Sequence, residues 1–194
     1  MEATMIRLFA FLGNFGREHA GNRHNVAWQL LSSLPPAQGL GWERKFKGKS
    51  AFMDLPEGRI WLLMPETYMN NSGESVAELA RFYRIAPEEI MAVHDELEMP
   101  LGNIGLKFSG GLGGHNGLRS MEKHLGTRDY ARFRIGIGRP DHSDVAGYVL
   151  SDFRPEERLI LQTSVFPKAR TVFEACLGKD FLPLAEAYKK VVCV

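Results

Sequence analysis

The feature that most constrains this chain is the alternation of short apolar runs with segments of helical period. Met5 to Leu12 is apolar apart from Arg7 and ends at Gly13-Asn14-Phe15-Gly16, the pattern of a buried strand running into a glycine-punctuated turn. From Gly21 to Leu34, Val26, Ala27, Leu30, Leu31 and Leu34 recur at helical spacing until Pro35-Pro36 stops the element. This predicts a helix with His24 on its first turn. Ser50 to Leu55 and Arg59 to Met64 follow a basic stretch at Arg44 to Lys49 and read as a hairpin around Pro56-Glu57-Gly58.

The alternation continues with a helix predicted from Asn70 to Tyr83 and a strand from Ile90 to Val93 that ends at His94-Asp95. Ile104 to Phe108 and Ala131 to Ile137 read as strands flanking a glycine loop and a helix from about Asn116 to Leu125. Pro155 to Cys176 and Phe181 to Val191 read as helices, so the part from about 155 to 194 is expected to be helical. The expected fold is a three-layer α/β/α sandwich around a central mixed, mostly parallel sheet. Ligands in such folds gather at strand C-termini, where the motif-bearing turns would converge.

With 194 residues, 44% of them hydrophobic, the chain is expected to form one domain over 1–194. Lys and Arg number 24 against 23 Asp and Glu, so no global field draws it to nucleic acid or membrane, and an RNA contact needs a local basic patch. Cys176 and Cys193 have no metal-type or redox spacing and read as reduced structural thiols. Met1-Glu2-Ala3-Thr4 lacks a positive leader region, and the run from Leu8 to Leu12 is too short for a membrane span; the expected compartment is the cytoplasm.

The run Gly110-Gly111-Leu112-Gly113-Gly114 suggests a phosphate loop, yet no Gly-Lys-Ser/Thr follows, and Gly13 and Gly16 miss the dinucleotide pattern. His115-Asn116 follows the glycines where a helix N-terminus should present free N–H groups; Asn116 serves there either as a ligand-binding amide or as an N-cap. His24 in Asn22-Arg23-His24-Asn25 titrates near neutral pH, as a general base must, although a lone histidine is more often structural. Asp95 is its orienting partner if the fold joins them and a strand-end charge otherwise. Asn70, Asn71 and Ser72 cap a helix, or an amide among them holds a water or carbonyl.

No Gly-x-Ser-x-Gly elbow or reactive-cysteine signature nominates a covalent nucleophile, which leaves water. His24, His94, His115 and Asp95 form a minor zinc alternative without His-Glu-x-x-His spacing.

Six ordered blocks together resemble the bacterial peptidyl-tRNA hydrolase family. They are Gly13-Asn14-Phe15-Gly16, Asn22-Arg23-His24-Asn25, Tyr68-Met69-Asn70-Asn71-Ser72-Gly73, His94-Asp95-Glu96-Leu97, Gly113-Gly114-His115-Asn116-Gly117 and Phe133-Arg134-Ile135-Gly136-Ile137-Gly138-Arg139-Pro140. The resemblance reaches from residue 6 to about 150. It implies a monomeric esterase, free of metal and cofactor and needing no protein partner, that cuts the ester between a peptide and tRNA. It implies His24 as base, Asp95 as its carboxylate, and Asn70 as the amide that positions water or stabilises developing charge. Asn14 and Asn116 would contact the peptide ester, with Tyr68, Met69 and His115 along the same cleft.

Four positions depart from the family pattern, the fourth being Gly105: Phe15 replaces a usual Pro, Asn22 a usual Thr, a cap for a cap, and His19 a usual Tyr that stacks on the tRNA end, as an imidazole also can. Lys107 and Arg134 match basic positions expected to hold tRNA phosphates, whereas Gly105 stands where another lysine is common, implying a thinner clamp. Arg128, Arg132 and Arg139 are possible supplements. The competing reading is a non-catalytic RNA-binding relative of the same fold.

Overall fold

The structure, a computed structural model, describes residues 3–194; Met1 and Glu2, part of the segment read above for a leader, lie outside the described residues. Along the chain come β1 (Leu8–Phe11), α1 (Val26–Ser33), β2 (Glu43–Lys45), β3 (Gly48–Leu55), β4 (Gly58–Pro65), α2 (Ser72–Phe82) and β5 (Ile90–Glu96). They are followed by β6 (Asn103–Phe108), α3 (Asn116–Leu125), β7 (Ala131–Gly136), α4 (Val145–Val149), α5 (Pro155–Ile160), α6 (Phe166–Ala175), α7 (Phe181–Ala187) and β8 (Val191–Val192).

One sheet has the order β2-β3-β4-β1-β5-β7-β6-β8. β4, β1, β5 and β7 pair in parallel, while β3 and β6 run antiparallel to their neighbours. β2 and β8 reverse again, so they share the direction of the central four. The result is the expected mixed, mostly parallel sheet. β1 is buried along its whole length, as a strand with helices on both faces must be.

Alternation along the strands divides the core. Phe9 and Phe11 of β1, Met91 and Val93 of β5, and Phe133 and Ile135 of β7 face one hydrophobic cluster, which also takes Val26, Leu30, Val165, Phe173 and Phe181. Leu8, Ala10, Ile90 and Ala92 face a second cluster with Val76 and Leu79 of α2 and Leu118 and Met121 of α3. That second face changes character across the sheet. Beyond β5 it carries Arg132 and Arg134 of β7, which alternate with Phe133, and Lys107 of β6, which follows Leu106. A cavity opens there.

α2 and α3 cross closely at Gly73, where a Cβ would run into the Ser120 backbone; the Gly73 N–H instead donates to Ser120 Oγ at 2.9 Å. α5 and α6 are joined by a π-helical turn at Leu161–Val165. Pro167 lies in the next turn, and its missing N–H deprives the carbonyl four residues back of an α-helical partner.

Several expected boundaries move. His24 sits in a separate 3-10 turn, Arg23–Asn25, ahead of α1, and Asn70 in another, Met69–Asn71, ahead of α2. The basic stretch at Arg44 contributes the edge strand β2, and β5 runs on through His94 and Asp95 to Glu96. The predicted helix to Val191 stops at Ala187, and the last residues form β8 against β6, with Val191 opposite Ile104. The β-branched pair Val191-Val192 suits an edge strand, and Gly105 makes room: a Cβ there would meet the Lys189 carbonyl.

Candidate active site

The Asn22-Arg23-His24-Asn25 segment is clamped at both ends before it presents its imidazole. The guanidinium of Arg23 is buried, donating to Glu157 Oε2 at 2.7 Å and Ser151 Oγ at 2.7 Å, with the rings of Tyr148 and Phe153 against it. Asn25 accepts the Asn14 N–H at 2.9 Å and returns a bond from Nδ2 to the Asn14 carbonyl at 2.9 Å. Asn22, expected to cap, makes no capping bond; its Nδ2 donates to Asp152 at 2.8 Å and its Oδ1 pairs with His19 Nδ1 at 2.9 Å.

Held this way, His24 points Nδ1 at both oxygens of Asp95, 2.9 Å from each. A carboxylate can only accept, so Nδ1 carries the proton and Nε2 is left as a bare lone pair. Asp95 is 3% exposed and lies near the end of β5. A second imidazole meets it: His115 Nε2 lies 2.8 Å from Asp95 Oδ1. The other nitrogen of His115, Nδ1, accepts the N–H groups of Gly117 and Leu118 at the start of α3. His115 Nε2 therefore carries its proton, and both rings donate to Asp95.

Burial pushes the Asp95 carboxyl up, but the adjacent His24 and His115 outweigh it and hold the group well below the usual carboxylate range. Next to it, His94 is driven the other way. Burial, reinforced by His115, lowers it from 6.5 to about 3, while its Nδ1 donates to the Asp95 carbonyl at 2.7 Å.

His115, not Asn116, is the N-cap of α3, and it consumes N–H groups expected to be free at that terminus. Asn116 begins the helix, exposed, accepting from Arg119 at 3.2 Å. Asn14 is buried, and its Oδ1 accepts the Met69 N–H at 2.6 Å, which ties the first motif to the third. Met69 packs its sulfur above Gly117. Asn70 and Tyr68 are exposed on the same turn. His19 is half-buried beside Glu18, on the 3-10 turn Arg17–His19.

A cavity of about 440 Å³ is lined by His24, Asp95, His115, Asn116, Lys107 and Arg134 among others, with Val145 and Val149 of α4 and the glycine loop also in its wall. Its lining does not include Asn14, His19, Tyr68, Met69 or Asn70. Of the supplementary arginines, Arg132 is buried with its terminal nitrogens on the carbonyls of Gly110 and Gly111, so it holds the loop and is not a surface phosphate contact. Arg128 pairs with Glu122 and Arg139 with Glu98. Arg134 donates to the Lys189 carbonyl at 3.0 Å.

Among the described residues, His24, Asp95 and His115 each offer a donor atom within 4.8 Å of the others, as a metal site would need. The protons placed above on His24 Nδ1 and His115 Nε2 occupy the space between them, so a cation there would have to displace both hydrogen bonds.

The residue roles that sequence reasoning passed over are His115 as a second donor to Asp95, Arg23 and Asn25 as anchors, and Arg132 as the tie to the glycine loop. A cue to the first was present: a histidine directly before a predicted helix is placed to cap it.

The fold and this cleft together define an α/β protein with a His–Asp pair at the C-terminal end of the parallel strands of a mixed sheet. The chain belongs to the peptidyl-tRNA hydrolase family, whose model matches residues 8–192. It is similar to the peptidyl-tRNA hydrolase of Neisseria meningitidis serogroup A, 44% identical over 91% of this chain and 94% of that one. It is also similar to that of Azoarcus sp. strain BH72, 46% identical over 85% of this chain and 76% of that one. Among solved structures it resembles a peptidyl-tRNA hydrolase in complex with N-propanol, with TM-score 0.87 and 35% identity over 97% of this chain and 98% of that one. The peptidyl-tRNA hydrolase of Acinetobacter baumannii gives TM-score 0.79 at 36% identity over the same shares. These likenesses do not favour the non-catalytic RNA-binding alternative.

Proposed function

We propose that the protein hydrolyses the ester joining a peptide, or an N-blocked aminoacyl group, to tRNA, with His24 as general base. The observation that carries this reading is the fixed tautomer: Asp95 takes the proton-bearing Nδ1 of His24, leaving Nε2 free at the cavity to accept a proton from water. Water then attacks the ester carbonyl, and the buried carboxylate stabilises the imidazolium that forms. Asn14, with its oxygen engaged by Met69, has its amide N–H groups left for the substrate; Asn70, on the turn Met69–Asn71, and Asn116, at the start of α3, are exposed amides.

Lys107, Arg134 and His115 line the cavity, where the two cations supply positive charge for tRNA phosphates; exposed Tyr68 and half-buried His19, outside that lining, offer stacking surface, and buried Met69 backs the turn that carries Tyr68. Among the described residues no helix is long and apolar enough to cross a membrane. The protein works in the cytoplasm as a single-domain monomer without cofactor or metal; sedimentation tests the monomer, and undiminished turnover in chelator tests the metal-free chemistry. The decisive assay incubates purified protein with N-acetyl-aminoacyl-tRNA and follows ester cleavage, wild type beside His24→Ala. Rapid cleavage by the wild type and a large loss in the variant are expected, and equal rates would remove His24 from the role of base.

A further inference from the structure

α4 forms part of the cavity wall through Val145, Ala146 and Val149, yet it packs chiefly on the 3-10 turn Arg23–Asn25, the turn that carries His24. Its entrance is exposed from Asp141 to Asp144, where His142 Nδ1 and Asp144 Oδ1 accept N–H groups of the same segment. Its exit is fixed to the two residues before the base. The Arg23 N–H donates to the Ser151 carbonyl at 3.0 Å, Arg23 Nη1 to Ser151 Oγ at 2.7 Å and to the Asp152 carbonyl, and Asn22 Nδ2 to Asp152 Oδ1 at 2.8 Å. Tyr148 of α4 sets its ring centroid 4.5 Å from the guanidinium carbon and donates its hydroxyl to the Ile137 carbonyl at 2.6 Å.

The two arms of the Arg23 fork therefore serve different elements. Nη2 meets Glu157 Oε2 of α5 at 2.7 Å and offsets the buried charge, whereas Nη1 is spent on the chain leaving α4. An ion pair alone would hold the fold without the second arm. His24 follows in the same three-residue turn, and on its other side Asn25 exchanges two bonds of 2.9 Å with the Asn14 backbone. The imidazole is thus strung between an anchor beyond β1 and an anchor on α4, with no residue of slack on either side. Its Nδ1 stands 2.9 Å from both oxygens of Asp95, an alignment that a small rotation of the turn unbalances.

We infer that Arg23 is a positioning residue that registers α4 against His24, so that the wall of the cavity and the alignment of the base on Asp95 are set together. A substrate that moves α4 moves His24 with it, through groups in direct contact. The bearing on turnover rests on the hydrolase reading; the mechanical link does not.

The link is tested by disturbing α4 and reading His24. The readouts are kcat on N-acetyl-aminoacyl-tRNA and the NMR resonance of the His24 Nδ1 proton, assigned by its loss in His24→Ala. Tyr148→Ala removes the ring beside Arg23, and Arg23→Lys keeps a cation for Glu157 while losing the fork. Each should lower kcat about tenfold, with less change in KM, and broaden the resonance. Ser151→Ala, which removes one acceptor of Nη1, should give about a threefold loss of the same kind and serves in place of Tyr148→Ala if that variant does not fold. Glu157→Gln keeps an acceptor for Nη2 without its charge; it should lower the urea midpoint and leave kcat and the resonance near wild type. Unchanged kcat and resonance in the α4 variants and in Arg23→Lys would overturn the inference. Equal losses in Glu157→Gln would overturn it too, by making Arg23 a prop of the fold, and so would a fall in kcat with the resonance unmoved, which confines the effect to the cavity wall. No cleavage by the wild type would remove the hydrolase reading, and the resonance would still decide the link.

Discussion

The two ends of the cavity are built on opposite terms. At His24, Asp95 and His115, both carboxylate oxygens and three of the four imidazole nitrogens are paired at 2.8 to 3.3 Å, so one free atom, His24 Nε2, stands out. At Lys107, Arg132 and Arg134 the charges are plentiful and the pairing is incomplete, with exposed Lys107 at the cavity and unmet nitrogens on both arginines. Full satisfaction fixes a proton's position, which is what proton transfer requires, whereas cations left partly unpaired keep their charge for a polyanion.

Removing the paired end should cost most. His24→Ala is expected to lower kcat by about 10² to 10⁴-fold, the usual contribution of a general base, while the folded spectrum and tRNA binding persist. Loss of tRNA binding in step with turnover would break the division between the two ends. The same end depends on an anchor far from the chemistry. Arg23→Ala leaves Glu157 buried without its partner, and a loss of about 3 kcal/mol in urea unfolding is expected. An unchanged midpoint would mean that the segment carrying His24 is held by Asn22 and Asn25 without Arg23.

The intermediate position of His94 gives a pH signature. Its folded value, about 3, lies below the ordinary 6.5, so between these the unfolded chain binds the extra proton. His94 thus stabilises the fold fully above about pH 6.5, and the contribution declines toward pH 3 at about 1.4 kcal/mol per unit. Asp95, also depressed, adds no slope above about pH 5, where it is ionised in both states. Urea titrations from pH 5 to 7 should show the slope in wild type and a shallower one in His94→Gln; identical slopes would contradict a buried, unprotonated ring.

At the open end the effects are smaller and electrostatic. Lys107→Ala is expected to raise KM with little change in kcat and to flatten the dependence of log Kd on log salt by about one. Arg134→Ala should do less at the level of charge, since its guanidinium also holds the Lys189 carbonyl and part of the effect would appear as a looser β8. A change in kcat larger than that in KM for Lys107→Ala would place the lysine at the proton-transfer end.

Both ends were unequally legible in the chain. His24, Asp95, Asn14 and Met69 stand in short motifs whose companions announce them, and the structure joins His24 to Asp95 and Asn14 to Met69. Gly105 read as a missing charge, and the structure shows it as the clearance that lets the C-terminal residues pair with β6. Arg132 read as an exposed supplement and is a buried tie to the glycine loop. A single arginine has the same letters in either role, because what decides it is which carbonyls lie above it.

By itself the sequence determined the alternation of strands and helices, the strand ends on which the chemistry is displayed, and the family. Those follow from local period and from turn residues within a few positions of one another. Only the tertiary structure decided that His115 shares Asp95 with His24, that it caps α3 in place of Asn116, and that the last strand closes the edge over Gly105. The shared carboxylate and the last strand depend on groups 20 to about 90 residues apart meeting within hydrogen-bond distance, and such pairings are set by how layers pack, whereas the cap turns on which of two adjacent side chains folds back onto the N–H groups two and three residues on.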